Sequence, residues 1–202
     1  LTIPKLGLLS SEKIRKFIVS EIGEITFRDL KIPTVIVAAN LTTGKKMIFK
    51  DGEVAIACQA SSSIPEVYTP VEIDGHAIVD GGLVEYLPIR ALDEFECEMF
   101  RLGVNLGFEK HEHPKPKHLI EVIMQVTGFI AHQNAVVSER YANFVIRPDL
   151  ERFNPFALNK AEDMIAEGYR SAMSVMPELK RAINDYSSIS NRIRRFLSRK
   201  VF

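Results

Sequence analysis

The chain has 202 residues, 46% hydrophobic and 26% charged, enough for one folded domain with a sizeable core. Lys and Arg number 26, as do Asp and Glu, so the net charge is zero, which excludes a surface built throughout to hold nucleic acid. Two cysteines, Cys58 and Cys97, are too few for a disulfide framework and point to a reducing, cytoplasmic setting, and no apolar run reaches the roughly 18 residues of a membrane span.

The chain opens Leu1-Thr2-Ile3-Pro4 without Met and reads as the continuation of a longer polypeptide. Ser10 and Ser11 precede Ile14, Phe17, Ile18 and Ile22, which fall on one face of a predicted serine-capped helix. Thr34 to Ala39 is a short, continuous apolar run, the mark of a strand covered on both faces. The turn signal Thr42-Thr43-Gly44 leads to a second strand at Met47-Ile48-Phe49. Val54 to about Ala60 predicts a short buried helix, followed by the loop Ser61-Ser62-Ser63-Ile64-Pro65. Val71–Ile73 and His76–Val79 flank Asp74-Gly75, the signal of a two-residue type I′ hairpin.

Pro88 suits the first position of a helix, and residues 97–106 return to a strand-like pattern. His111 to Lys117, broken by two prolines, reads as an exposed connector. A long helix is expected from Pro116 to about Tyr141, on the period of Leu119, Val122, Ile123, Val126 and Ile130. Phe144-Val145-Ile146 predicts a strand that Pro148 ends. Asn159 and Glu162 have capping-box spacing ahead of Ala161, Met164, Ile165, Gly168, Tyr169, Ala172 and Met173, and Pro177 opens the next helix. Strands alternating with helices imply an α/β fold with a mostly parallel sheet and at least one antiparallel hairpin.

Three Asp-Gly pairs occur, and turns account for Asp51-Gly52 and Asp74-Gly75. The third, Asp80-Gly81, differs: it ends the strand Ala77-Ile78-Val79, a second glycine, Gly82, follows, and no return strand comes next. A carboxylate at the C-terminal end of a strand is where open α/β sheets place their sites, and glycines let backbone or substrate approach closely.

The pieces Gln59-Ala60-Ser61-Ser62-Ser63-Ile64-Pro65, Pro70-Val71-Glu72-Ile73-Asp74-Gly75, Val79-Asp80-Gly81-Gly82-Leu83-Val84 and Leu87-Pro88 occur in order and at family-like spacing. Together they resemble the patatin-like phospholipases, above all the bacterial group. Ile25 to Gly44 and Ile146-Arg147-Pro148-Asp149-Leu150 look like the same family, so the resemblance runs from about Leu1 to about Tyr169. It implies a three-layer α/β patatin-like fold with a mostly parallel central sheet plus a hairpin. It also implies a lipid acyl hydrolase working through a Ser-Asp dyad and an acyl-enzyme, with no catalytic histidine, metal or cofactor. The family's Asp-Gly-Gly or Asp-Gly-Ala motif maps onto Asp80, Gly81 and Gly82, with Asp80 the base. A free Asp, with a pKa near ~3.9, is a poor base unless its surroundings are partly dry, and Ile78 and Val79 are apolar neighbours that raise it.

The sequence departs from the family in three ways. Gln59 stands where the family often has Arg, and Glu85-Tyr86 where it often has an Asn-containing pair. No Gly-x-Ser-x-Gly elbow occurs: the one glycine pair four apart, Gly103 and Gly107, encloses Asn105, and Gly81-Gly82 is the only adjacent pair. The expectation is the C-terminal part of a patatin-like protein, with its N-terminal part missing, and hence an isolated chain without esterase activity. The alternative is a non-catalytic binding or regulatory module on the same scaffold.

Other candidates have plainer readings. His111, Glu112, His113 and His118 lie in a polar connector that does not close a ligand set, so no metal is expected. Cys58 reads as a small buried hydrophobe, His76 as a half-buried strand residue, and Ser61, Ser62 and Ser63 as loop and cap hydroxyls near the site. Residues 1–186 read as part of one domain and 187–202 as a basic amphipathic helix. That helix carries Arg192, Arg194, Arg195, Arg199 and Lys200, which suit peripheral contact with an anionic membrane. A domain lacking strands exposes apolar edge and face, which implies a homodimer or association with the missing segment.

Overall fold

The computed structural model describes residue 7 and residues 9–65, 67–107, 115–153 and 158–188. The motif His111-Glu112-His113 and the basic stretch 190–202 lie outside the described residues. The chain divides into two compact units, residues 1–96 with 112–138, and residues 97–111 with 139–202.

The first unit is built on a four-stranded antiparallel sheet in the order β2-β1-β4-β3. Its strands are β1 (Ile36–Asn40), β2 (Lys45–Phe49), β3 (Val71–Ile73) and β4 (His76–Asp80). The hairpin between β3 and β4 turns at Asp74 (φ 50°) and Gly75 (φ 75°), the two left-handed positions that a type I′ turn requires. β1 and β4 are central, so both their faces are covered: Val37, Ala38, Ala39, Ile78 and Val79 are all buried. Their register, Ala38 opposite Asp80 and Ala39 opposite Val79, puts the end of β4 against the middle of β1. α2 (Val54–Ser61) lies across the sheet, where Ala60 packs with Ala38 and Ile78, and farther along Val54 and Ala57 pack with Phe27. Burying the Ile78 and Val79 side chains stabilises this centre by about 2 kcal/mol each.

Two helices of this unit leave much of their apolar stripes exposed. In α1 (Glu12–Ile22) no residue is fully buried, and Phe17 and Ile22 are exposed. Ser11 does not cap it. The Ser11 hydroxyl accepts from buried Gln59 Nε2 at 3.1 Å, and it is Ser10 that accepts the Glu12 N–H, at 3.3 Å. In α4 (Leu119–Glu139) the periodic residues Leu119, Val122, Ile123, Val126 and Ile130 face outward, while Ala131, Ala135 and Ser138 are buried. Small side chains let that helix approach closely enough for Asn134 Nδ2 to donate to the Leu83 carbonyl at 2.9 Å.

In the second unit β5 (Leu102–Val104) and β6 (Phe144–Ile146) pair in parallel, the only parallel strand pair among the described residues. The fold is thus of the expected mixed α/β class, with its parallel pairing confined to this small sheet. α5 (Ala161–Ser174) and α6 (Met176–Ser187) follow, with Pro177 in the first turn of α6 as predicted. The Asn159–Glu162 capping box does not form, because Leu158–Lys160 is already a 3₁₀ turn and the position before α5 falls on Lys160. The apolar stripe Ile165, Tyr169 and Met173 is exposed. The residue of α5 that is buried is Glu167, which takes Arg152 at 2.6 Å and Arg170 at 2.7 Å.

Candidate active site

Asp80 is the last residue of β4, where the strand hands over to the short helix α3 (Gly82–Glu85). Three backbone contacts fix it. The Asp80 N–H donates to the Ser63 carbonyl at 3.0 Å, which ties the strand end to the loop after α2. The Gly82 N–H donates to Asp80 Oδ1 at 2.7 Å, which orients the carboxylate over the turn. The Glu85 N–H donates to the Gly81 carbonyl at 2.9 Å and closes α3.

The two glycines have different work. A Cβ on Gly81 would lie 2.3 Å from the Val37 carbonyl oxygen, so only a glycine lets the turn rest on β1. A Cβ on Gly82 would meet Asp80 Oδ1 at 3.0 Å and the Tyr86 ring at 3.1 Å, both side-chain atoms that can give way.

The carboxylate opens into a cavity of about 310 Å³. Its apolar lining is Val35, Ile36 and Val37, leading into β1, and Pro88. The polar groups in it are Asp80, Ser61, Glu85 and Tyr86. Burial pushes the Asp80 carboxyl above the usual carboxylate range, and the Gly82 N–H draws it partly back. Burial, then the nearby charge of Asp80, pushes the Tyr86 phenol up. Glu85 is buried at 6% exposure, and its two oxygens accept from Lys46 Nζ of β2 at 2.6 Å and from the Arg90 N–H at 2.9 Å. Lys46 has no local sequence signal, because it reaches the site only through the β1–β2 pairing.

The remaining candidates fall away from this chemistry. Ser63 is fully buried with its hydroxyl donating to the Gln59 carbonyl at 2.7 Å, so it caps α2. Ser61 lines the cavity at the C-terminal end of α2, not at the helix start where an elbow nucleophile sits. Cys58 packs against Phe27, Val54 and Ala57, and burial pushes its thiol pKa up. His76 is half-buried in β4. Among the described residues no group of three or more His, Cys, Asp or Glu is arranged to hold a metal. Asn105, between Gly103 and Gly107, belongs to the second unit, where Oδ1 accepts the Gly107 N–H at 2.8 Å and Nδ2 donates to Glu139 at 2.8 Å. Those bonds make a turn, not an elbow.

Fold and cavity together define an α/β protein with a desolvated carboxylate at a strand end, aimed by a glycine turn. Residues 1–93 match the family model described as patatin-like phospholipase, so the first half of the chain is similar to that family. Among curated relatives, an uncharacterized NTE family protein of Mycobacterium tuberculosis is 36% identical over 88 residues, covering 44% of this chain and 24% of that protein. The cGAMP-activated phospholipase of Vibrio cholerae is 36% identical over 96 residues, 40% of this chain and 27% of its own length. Lysophospholipase NTE1 of Kluyveromyces lactis is 21% identical over 194 residues, 84% of this chain and 13% of its own length. The chain thus spans about a quarter of the first of these relatives. No helix of the described residues is long and apolar enough to cross a membrane.

Proposed function

We propose that this chain carries the base half of a lipid acyl hydrolase, with Asp80 as the proton acceptor for a serine that lies outside these 202 residues. The observation that carries the reading is the Asp80 carboxylate itself: aimed by the Gly82 N–H, raised in basicity by burial, and open to a cavity with an apolar wall. The match of residues 1–93 to the patatin-like phospholipase model and the phospholipase names of two relatives support the substrate class.

The chemistry follows from a weak nucleophile needing a placed base. The serine Oγ attacks the ester carbonyl carbon while its proton passes to Asp80. Backbone N–H groups hold the developing oxyanion. The C–O bond to the alcohol then breaks, the alkoxide takes the proton from Asp80, and an acyl-serine remains. Water attacks the acyl carbon, gives its proton to Asp80, and the acid leaves as the serine is reprotonated. The apolar wall formed by Val35, Ile36, Val37 and Pro88 suits the acyl chain.

The test reads the residues encoded ahead of Leu1 and applies a fluorophosphonate probe. A Gly-x-Ser-x-Gly between a strand and a helix, labelled at its serine in the longer protein while the 202-residue chain stays unlabelled, is the expected result. Stoichiometric labelling of the 202-residue chain contradicts it. The lack of an elbow serine within the chain favours one other reading, a non-catalytic module on the same scaffold, and a replaced serine at the upstream position selects that reading.

A further inference from the structure

The cavity of Asp80 holds a second carboxylate, which the proposed chemistry does not use. Glu85 is buried, five residues beyond Asp80, on the helix that the Asp80-Gly81-Gly82 turn begins. Two unpaired carboxylates cannot both be ionised cheaply in one partly dry cavity. Lys46 Nζ, 2.6 Å from Glu85 Oε2, offsets the second charge. Glu85 also joins three pieces of backbone that meet at the turn. Its N–H holds Gly81, its Oε1 holds the Arg90 N–H where the 3₁₀ helix Ile89–Phe95 starts, and its Oε2 reaches β2 through Lys46.

We propose that the Lys46–Glu85 ion pair is the positioning element of the Asp80 site: it fixes the turn that aims the Asp80 carboxylate and keeps the cavity's other carboxylate neutralised. The inference rests on the reading of Asp80 as the proton acceptor. Among described residues, the groups facing Asp80 from the elements around it are few. β1 and its approach contribute Val35, Ile36 and Val37, α2 contributes Ser61, and α3 and its end contribute Glu85 and Tyr86. Tyr86 is neutral across the range in which a carboxylate titrates, which leaves Glu85, paired with Lys46, as the other charged group lining this cavity.

Removing either partner therefore pushes Asp80 in opposite directions, which loss of packing alone does not do. Lys46→Met leaves Glu85 as a bare negative neighbour and raises the midpoint of Asp80. Glu85→Gln keeps an acceptor for the Arg90 N–H, leaves Lys46 as a bare positive neighbour and lowers it. The double variant returns it to the native midpoint, and Lys46→Arg preserves it.

The experiment is a ¹³C carboxyl NMR titration of Asp80 in the 202-residue chain and these four variants, with amide spectra to check the fold. The expected result is displacements of about half a pH unit or more, upward for Lys46→Met and downward for Glu85→Gln. Midpoints that stay put in the folded single variants, or that move the same way in both, overturn the proposal. Should Lys46→Met not fold, Glu85→Gln against native carries the same decision. The titration is independent of turnover. A flat titration removes this inference while leaving Asp80 as base, whereas hydrolysis that survives Asp80→Asn removes the functional reading whatever the titration gives.

Discussion

At the scale of one residue, Asp80 sits in tension between stability and use. A group whose pKa is higher folded than unfolded stabilises the fold at pH below its unfolded value, near ~3.9, and that contribution is lost as pH rises through the folded value. Asp80 is such a group, because burial raises it more than the Gly82 N–H lowers it. At neutral pH its ionised form is a burden on the fold. Asp80→Asn keeps the Oδ1 acceptor for Gly82 and removes the charge, so it should melt higher than the native chain at pH 7. The difference should narrow on acidification, as the native carboxylate takes up its proton. Thermal melts of both proteins across pH decide this, and an Asn variant that melts lower at neutral pH contradicts the desolvated setting of Asp80. Asp29 has the opposite sign. Its carboxyl is lowered by the Thr26 N–H and then by the Thr26 hydroxyl, so its contribution is present at neutral pH and fades as pH falls through its depressed value.

At the scale of the element, the turn from β4 into α3 carries the site, and its two glycines should respond differently. Gly81→Ala drives a methyl against the Val37 carbonyl of β1 and should cost about 1–3 kcal/mol, the usual range for overpacking. Gly82→Ala meets only side-chain atoms and should cost less than about 1 kcal/mol. Urea denaturation measures both, and equal losses contradict the close approach to β1. The contrast also accounts for the Asp-Gly-Gly or Asp-Gly-Ala alternation that the resemblance implies.

This turn was legible in the sequence because its signals are local: an apolar strand, a carboxylate and two glycines in succession. The hairpin at Asp74-Gly75 was legible for the same reason. The ion pair of Lys46 with Glu85 was not, since 39 positions separate its partners and only strand pairing unites them. Periodicity located α4 and α5 but not their buried faces. It finds an apolar stripe without showing what the stripe meets, and in both helices smaller or charged residues turned out to be the buried ones.

At the scale of the whole molecule, the antiparallel sheet, α2 and the turn into α3 build what we propose is one side of a reaction centre: a buried carboxylate, its orienting N–H and an apolar wall. The proposed nucleophile is a serine outside these 202 residues, and the Mycobacterium tuberculosis relative, about four times longer than the stretch it shares with this chain, has room for one. The most direct test of the account is ester hydrolysis by the longer protein that joins this chain to its elbow serine, native against Asp80→Asn. Turnover should fall about 10⁴-fold, as when the acidic member of a serine site is lost, with KM little changed and the fold intact. Turnover within about threefold of native in a folded Asp80→Asn protein, against losses of many thousandfold where such a residue is essential, contradicts the account.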